Sequence, residues 1–315
     1  MILQILARCG AFFIGFIVKG QMNHDFAFGI EVNPCVIEIT IGNAIPVNTE
    51  DMFLYKRKET NGGEVVVSKR HPELQQLVLN STMVDILEKC DGKTAVQDLF
   101  STLYDEYKMV VSRNEFEADV FSSLHSLWRL GLVEWINHHP FMDMYISSEE
   151  NYDFSLLTED EAVDELQKYN GHIFEPYLQP TVFQSERAIR QNAFTFNESL
   201  FKMTNDKKCI AMLSLITPVF FNTTLLRMRY LSFDDSLDMG ELKKFILWCV
   251  NKIGEILNKS YTGVVLFNDT TSSHSRQKLL ETGFTICGSL NNERSSMDTP
   301  VDIYFLNTIA LGHML

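Results

Sequence analysis

The sequence predicts an α+β protein of two successive units: three strands with three helices, then a mixed sheet flanked by helices. Three observations carry this. The chain has 315 residues, more than one ordinary domain holds. Short strand-like runs lie on both sides of Asn61-Gly62-Gly63, and three segments at helical spacing follow. Beyond residue 152 the period switches repeatedly between two and 3.6, and the longest helical run is at about Met239–Asn258.

Elements of the first unit follow from local signals. Phe53 to Arg57 reads as a strand, Asn61-Gly62-Gly63 as a hairpin turn, and Glu64 to Ser68 as the returning strand, because glycine accepts the positive φ of such turns. Leu77 to Leu79 is a third short apolar run. Asn80-Ser81-Thr82 supplies side chains that cap a helix. Helices are expected at about Thr82–Lys89, Val96–Tyr107 and Arg113–Leu130. Their inward faces carry Met83, Ile86 and Leu87, then Val96, Leu99, Leu103 and Tyr107, then Phe116, Val120, Leu124, Leu127 and Trp128. Asp91-Gly92 and Gly131 stop the first and third. Residues 1–50 stay unassigned, although Phe26 to Ile41 alternates like strands about an Asn33-Pro34 turn. Met1 to Val18 is apolar but for Gln4 and Arg8. Its unbroken part, Cys9 to Val18, is about half a membrane span. Three readings stay open: a buried N-terminal element, a weak membrane contact, or sequence upstream of a start at Met22. Stable membrane insertion is not expected.

Residues 137–151 are polar and read as a linker between a unit at 51–136 and one at 152–315. His138-His139 within it is read as loop, since adjacent side chains point apart and no acidic or cysteine partner is near. After it come helical patterns at about Glu159–Tyr169 and Gln184–Gln191. Strands follow at about Glu198–Met203, Cys209–Asn222 and Leu225–Phe233. The long helix has Leu242, Phe245, Ile246, Cys249, Val250, Ile253 and Leu257 on one face. A strand at Gly263–Phe267, a helix at Ser273–Thr282 and strands at Thr285–Leu290 and Val301–Leu306 complete the unit.

Composition narrows the function classes. A formal charge of −14 and a pI near 5.0 repel phosphate backbones, so nucleic-acid binding is not expected. Cys9, Cys35, Cys90, Cys209, Cys249 and Cys287 are scattered, without the spacing a zinc site needs. At least four fall in apolar patterns, which points to buried free thiols and a cytoplasmic protein, with no metal.

Residues 53–135 resemble the PqqD family, the RiPP recognition element. The matching frame is Leu79-Asn80-Ser81, Ile86-Leu87, Cys90-Asp91-Gly92, Thr94 to Leu99, and Leu127 with Gly131-Leu132-Val133. The resemblance implies a winged-helix-type domain that binds the leader segment of a ribosomally made precursor peptide. The peptide would join the edge of Leu77, Val78 and Leu79, with the third helix (Phe116, Val120, Leu124) as the other wall. Which of those three line a groove and which fill the core stays open. Strand edges and flanking grooves do hold extended peptides.

Residues from about Tyr152 to Ile309 resemble the GNAT acyltransferases. The matching pieces are Leu279 to Phe284, Val301 to Leu306, and Arg229 to Phe233. The resemblance implies a V-shaped opening between the fourth and fifth strands of that fold, where an amine attacks an acyl thioester. It places Leu231, Phe233, Met239, Gly240 and Ser272 beside the donor. It offers Asp234 or Asp235 as base and His274 as a proton relay. The family's glycine-rich loop is not kept: Asp238, Glu241 and Lys243 stand where Arg/Gln and two glycines belong. Asp238 reads instead as a helix cap with Glu241 completing a capping box. Leu279 replaces the family's tyrosine.

Together these imply a RiPP-tailoring N-acyltransferase using acyl-CoA or an acyl-carrier-protein thioester, the leader peptide held by the first unit. A non-enzymatic peptide adaptor and a small-molecule N-acetyltransferase are the alternatives.

Overall fold

The structure, a computed structural model, describes residues 42–60, 62–74, 76–149, 151–168, 172–173, 185–217, 224–257, 259–269, 273–290 and 301–308. The expected strands before residue 42, Cys9, Cys35 and Ser272 lie outside them. The chain divides into two compact units, Met1–Met142 with Ile256–Asn258, and Asp143–Glu255 with Lys259–Leu315.

In the first unit β1 (Pro46–Asn48) pairs antiparallel with β5 (Val133–Trp135). A second sheet has the order β2 (Phe53–Lys58), β3 (Glu64–Ser68), β4 (Leu77–Leu79), all antiparallel. The three strands stand where the short apolar runs and the turn signal put them. Gly62 takes φ +84° in that turn. Helices α1 (Ser81–Lys89), α2 (Val96–Tyr107) and α3 (Arg113–Arg129) also stand as expected. Asn80 caps α1 by accepting from the Met83 N–H at 2.8 Å. Ser112 and Glu115 form a reciprocal capping box on α3. Gly131 ends α3 at φ +72°, where an added Cβ would also meet Arg70 Cδ at 2.9 Å.

The core of this unit is drawn from the inward faces: Leu77, Leu79, Met83, Ile86, Val96, Leu99, Phe116, Val120 and Leu124 are all buried. Tyr104 and Tyr107 flank the Phe116 ring, both at 5.6 Å between centroids.

Asp119 of α3 is a half-buried carboxyl at the margin of this core. Burial, with Glu115 adding repulsion, pushes its carboxyl up to about 7. A raised carboxylate pKa means the folded state binds more protons than the unfolded state between roughly pH 4 and 7. Stability from this group therefore falls as pH rises through that window. Asp119→Asn is expected to raise the melting temperature at pH 8 and leave it nearly unchanged at pH 4. Thermal scans at both pH values check this; an equal shift at both would contradict it.

Of residues 137–151, expected as a linker, 139–149 carry packed rings, a helical turn and a strand. His139 and Phe141 pack on Trp128, at 4.5 and 5.6 Å between ring centroids. A one-turn helix α4 (Met142–Tyr145) leads into β6 (Ile146–Glu149), which pairs with β7 (Tyr152–Leu156). β6 was not legible because it is a largely exposed edge strand with no alternation to read.

Nine strands of the second unit form one mixed sheet among the described residues. Its order is β13 (Thr285–Leu290), β14 (Val301–Asn307), β12 (Gly263–Asp269), β11 (Leu225–Phe233), β10 (Lys208–Ile216), β9 (Glu198–Asn205), β7, β6; β8 (His172–Ile173) pairs with β11 off this path. Only β11 and β12 run parallel; the other neighbours are antiparallel. The expected strand ending at Asn222 stops at Ile216, and residues 218–223 lie outside the described residues.

Both faces of this sheet are covered. On one, α5 (Glu159–Lys168) and α6 (Glu186–Phe194) bury Ala162, Val163, Ile189 and Ala193 with Leu200 of β9. On the other, α7 (Met239–Leu257) lays Phe245 and Trp248 on Phe154, at 5.3 and 5.6 Å, and Trp248 meets Phe201 at 5.9 Å. The alternation of Leu200 and Phe201 to opposite faces is what a strand requires. Helix α8 (Ser273–Thr282) lies between β12 and β13 in the chain. Cys90 and Cys249 are buried, and burial pushes the Cys90 thiol up to about 12. Cys209 on β10 and Cys287 on β13 are exposed, the latter because β13 alternates out to solvent, and Cys9 and Cys35 lie outside the described residues.

Candidate functional site

The second unit opens where its two parallel strands part. β11 and β12 pair only at Leu225–Arg227 against Gly263–Val265. Beyond that point β12 stays with β14 as far as Asp269. At the start of β12 the chain lies close against β14: a Cβ on Gly263 would meet the Phe305 ring and the Leu306 carbonyl.

β11 bends at the split for a local reason. Its register against β10 runs Leu213↔Leu231 and then Leu215↔Met228, so β11 carries one extra residue there. Such a bulge increases twist and bends the strand that holds it. A buried polar network pins it. The Tyr230 N–H donates to Ser214 Oγ at 3.2 Å, the Ser214 hydroxyl donates to Glu198 Oε1 at 2.8 Å, and Arg229 Nη1 donates to Glu198 Oε2 at 2.7 Å. Both side chains of the ion pair are 7% exposed. Burial outweighs Arg229 and Ser214, so the Glu198 carboxyl sits above its ordinary range.

The edge of β11 that β12 leaves is taken up by the chain itself. β8 pairs with it antiparallel, Ile173 with Tyr230 and His172 with Leu231. Leu231 also pairs with Leu213 of β10, so β8 occupies the opposite edge, the one facing the split.

The sequence-derived site residues fall into three groups. Asp234 follows β11, but its carboxylate meets Lys208 at 2.7 Å on the β10 side. There it lines a pocket of about 350 Å³ with Tyr152, Asn205, Asp206, Lys208 and Ser236. Asp235 is exposed. His274 lies in the first turn of α8, its side chain outside the described part.

The donor-binding candidates are dispersed. Leu231 is buried and Phe233 half-buried on β11. Met239 is buried, its sulfur accepting from the Thr282 hydroxyl at 3.6 Å, which makes it part of the packing between α7 and α8. Gly240 is exposed. Its N–H and that of Glu241 donate to Asp238 Oδ1 at 2.8 and 3.2 Å. Asp238 is thus the expected cap, and the first-turn donors that an anion would need are taken by a carboxylate. Glu241 accepts from Lys244 at 2.7 Å in place of the expected reciprocal bond. The chain therefore does not fit a pyrophosphate at the start of α7.

The peptide-binding candidates sit in the first unit. Leu77 and Leu79 are each 1% exposed, Val78 is half-buried, and Phe116, Val120 and Leu124 are fully buried. These three fill the core, which closes the alternative left open above. Among the described residues β4 pairs only with β3.

Sequence reasoning missed the Glu198–Ser214–Arg229 network and the β8 pairing. The network left a partial signal: Arg229 stands inside the largely apolar run of β11, whereas Glu198 lies between Asn197 and Ser199 at the head of β9. β8 left none, being two residues long. No group of three or more His, Cys, Asp or Glu among the described residues could hold a metal ion. No described helix is long and apolar enough to cross a membrane.

No protein-family model matches the sequence, and no curated protein matches it. Some solved structures are similar to it over about half of the chain. A ribosomal-protein-S5-alanine acetyltransferase from Vibrio fischeri is 13% identical, covers 52% of this chain and 97% of its own, and has a TM-score of 0.38. A mutant spermidine N-acetyltransferase SpeG from Vibrio cholerae is 14% identical over 51% and 95%, with a TM-score of 0.39. A dodecameric form of that enzyme is 15% identical over 51% and 95%, with a TM-score of 0.38. Likeness at these values carries no weight for activity or substrate; strand order, bulge and split describe the second unit on their own terms.

Proposed function

We propose that the second unit is a GNAT-like N-acyltransferase domain and that the first holds the peptide it modifies. The observation that supports it is the bulged split between β11 and β12, a parallel pair that parts after three residues beside a pinned strand. A thioester lying in that opening has its carbonyl exposed to an amine. The unprotonated nitrogen attacks the carbonyl carbon, a C–N bond forms, the C–S bond breaks, and the proton released from the nitrogen goes to the leaving thiolate. Since Asp238 occupies the donors at the start of α7, a thioester carried on a protein suits the charge better than free coenzyme A. Holding the peptide on the same chain raises the local concentration of a weak acceptor.

The test is mass spectrometry of a Lys-containing precursor peptide incubated with the full chain and either acetyl-CoA or an acetylated carrier protein. One acyl increment on an amine is expected, faster with the carrier-bound donor. Absence of any mass change with both donors would sink the enzymatic reading.

One observation favours a second reading, a non-enzymatic peptide-binding scaffold: β8 already pairs with the β11 edge that faces the split. Calorimetry separates the two, because a scaffold binds peptide and takes up neither donor.

A further inference from the structure

The first unit offers two sheet edges, and they differ in kind. β4 is three residues long and its Leu77 and Leu79 side chains are buried. β2 is six residues long and exposed from Leu54 through Lys58. Among the described residues β2 pairs only with β3, and none of them takes its outer edge as a strand partner.

The backbone register says which groups that edge presents. Across the hairpin the Glu59 N–H donates to Gly63 O at 2.8 Å. The ladder continues as Lys58↔Glu64, Arg57↔Val65, Lys56↔Val66 and Tyr55↔Val67. Antiparallel ladders alternate bonded and non-bonded pairs. Arg57 and Tyr55 therefore turn their amides toward β3, while Lys56 and Lys58 turn theirs outward.

Charge singles out the same edge. In a chain of formal charge −14, Lys56-Arg57-Lys58 is the one run of three consecutive cations. Lys56 meets Glu64 at 2.9 Å and Arg57 meets Glu59 at 2.6 Å, yet their side chains remain 38% and 57% exposed. Lys56 and Lys58 project to one face of the strand and Arg57 to the other. Leu54 and Tyr55, 56% and 42% exposed, give the run an apolar end.

We propose that β2, not β4, is the docking edge, and that its occupant is an extended acidic peptide with an apolar residue over Leu54 and Tyr55. This rests on the peptide-holding role given to the first unit and names the peptide's chemistry. Main-chain bonds to Lys56 and Lys58 hold it as an added strand, and carboxylates on either face meet the three cations.

The experiment uses the full chain and a fluorescein-labelled peptide that opens on Leu and continues as alternating Val and Glu. Its counterpart carries Lys in place of Glu. Anisotropy is expected to show the Glu peptide bound at least about tenfold tighter, with affinity falling as salt rises. Lys56→Glu, Arg57→Glu and Lys58→Glu together should invert the preference. Lys56→Pro, made in a Glu64→Gln background so that the buried partner of Lys56 is not left as an unpaired charge, removes an outward donor and spares the ladder, so binding should be lost while thermal melting stays near that of Glu64→Gln alone.

Equal binding of both peptides, or binding that survives Lys56→Pro, overturns the proposal. So does no binding at all, which leaves the lysines as a guard against strand pairing. Dimerisation that Lys56→Pro abolishes would make a second copy the occupant and overturn it too. Acylation that persists in Lys56→Pro sinks this edge alone and leaves the transferase reading standing.

Discussion

Arg229→Met is expected to destabilise the second unit by about 3–5 kcal/mol, because it leaves the Glu198 carboxylate buried without its counter-ion. For a unit of this size that is a fall of roughly 10 °C or more in melting temperature. The loss should be larger at pH 8 than at pH 5. Burial already raises the Glu198 pKa, and a raised carboxyl favours the fold less as pH rises and it must ionise. Adding Glu198→Leu removes the stranded charge, so the double variant should recover most of the loss. Calorimetric scans of both variants at the two pH values check it. A loss below about 1 kcal/mol, or no recovery in the double variant, would mean the pair does not pin the bulge.

Phe116→Ala is expected to cost the first unit about 3–5 kcal/mol, the usual range for deleting a fully buried ring. Phe116 is stacked by Tyr107 and tilted against Tyr104, so its removal leaves a cavity that two neighbours line. Peptide affinity of the molecules still folded should not change, since the ring presents nothing to solvent. Denaturant melts give the first quantity and anisotropy on folded protein the second. Intact stability with weakened peptide binding would return Phe116 to a groove wall.

These two residues show how far the sequence could be read. The period of 3.6 put Phe116 on the buried stripe of α3, but core and groove residues share that stripe. Only the packing of Tyr104 and Tyr107 against it settles which it is. Arg229 and Glu198 are 31 positions apart in the chain. They meet because β10 places β9 and β11 on its two sides. Asp238 was legible as a cap, since an N-cap acts within three residues of itself. Asp234 was legible only as a carboxylate after a strand; that it turns to Lys208 depends on β10.

By itself the sequence determined what is local and periodic: the hairpin at Gly62, the faces of α1, α2, α3 and α7, and the cap at Asp238. These depend on interactions within a few residues, so the order of side chains contains them. The tertiary structure decided the rest: the bulge at Arg229–Tyr230, the split after Arg227, the β8 strand on the vacated edge, and which sheet edge stays open. Those are set by pairings between distant segments, whose registers depend on the simultaneous fit of several strands and carry no mark in any one of them.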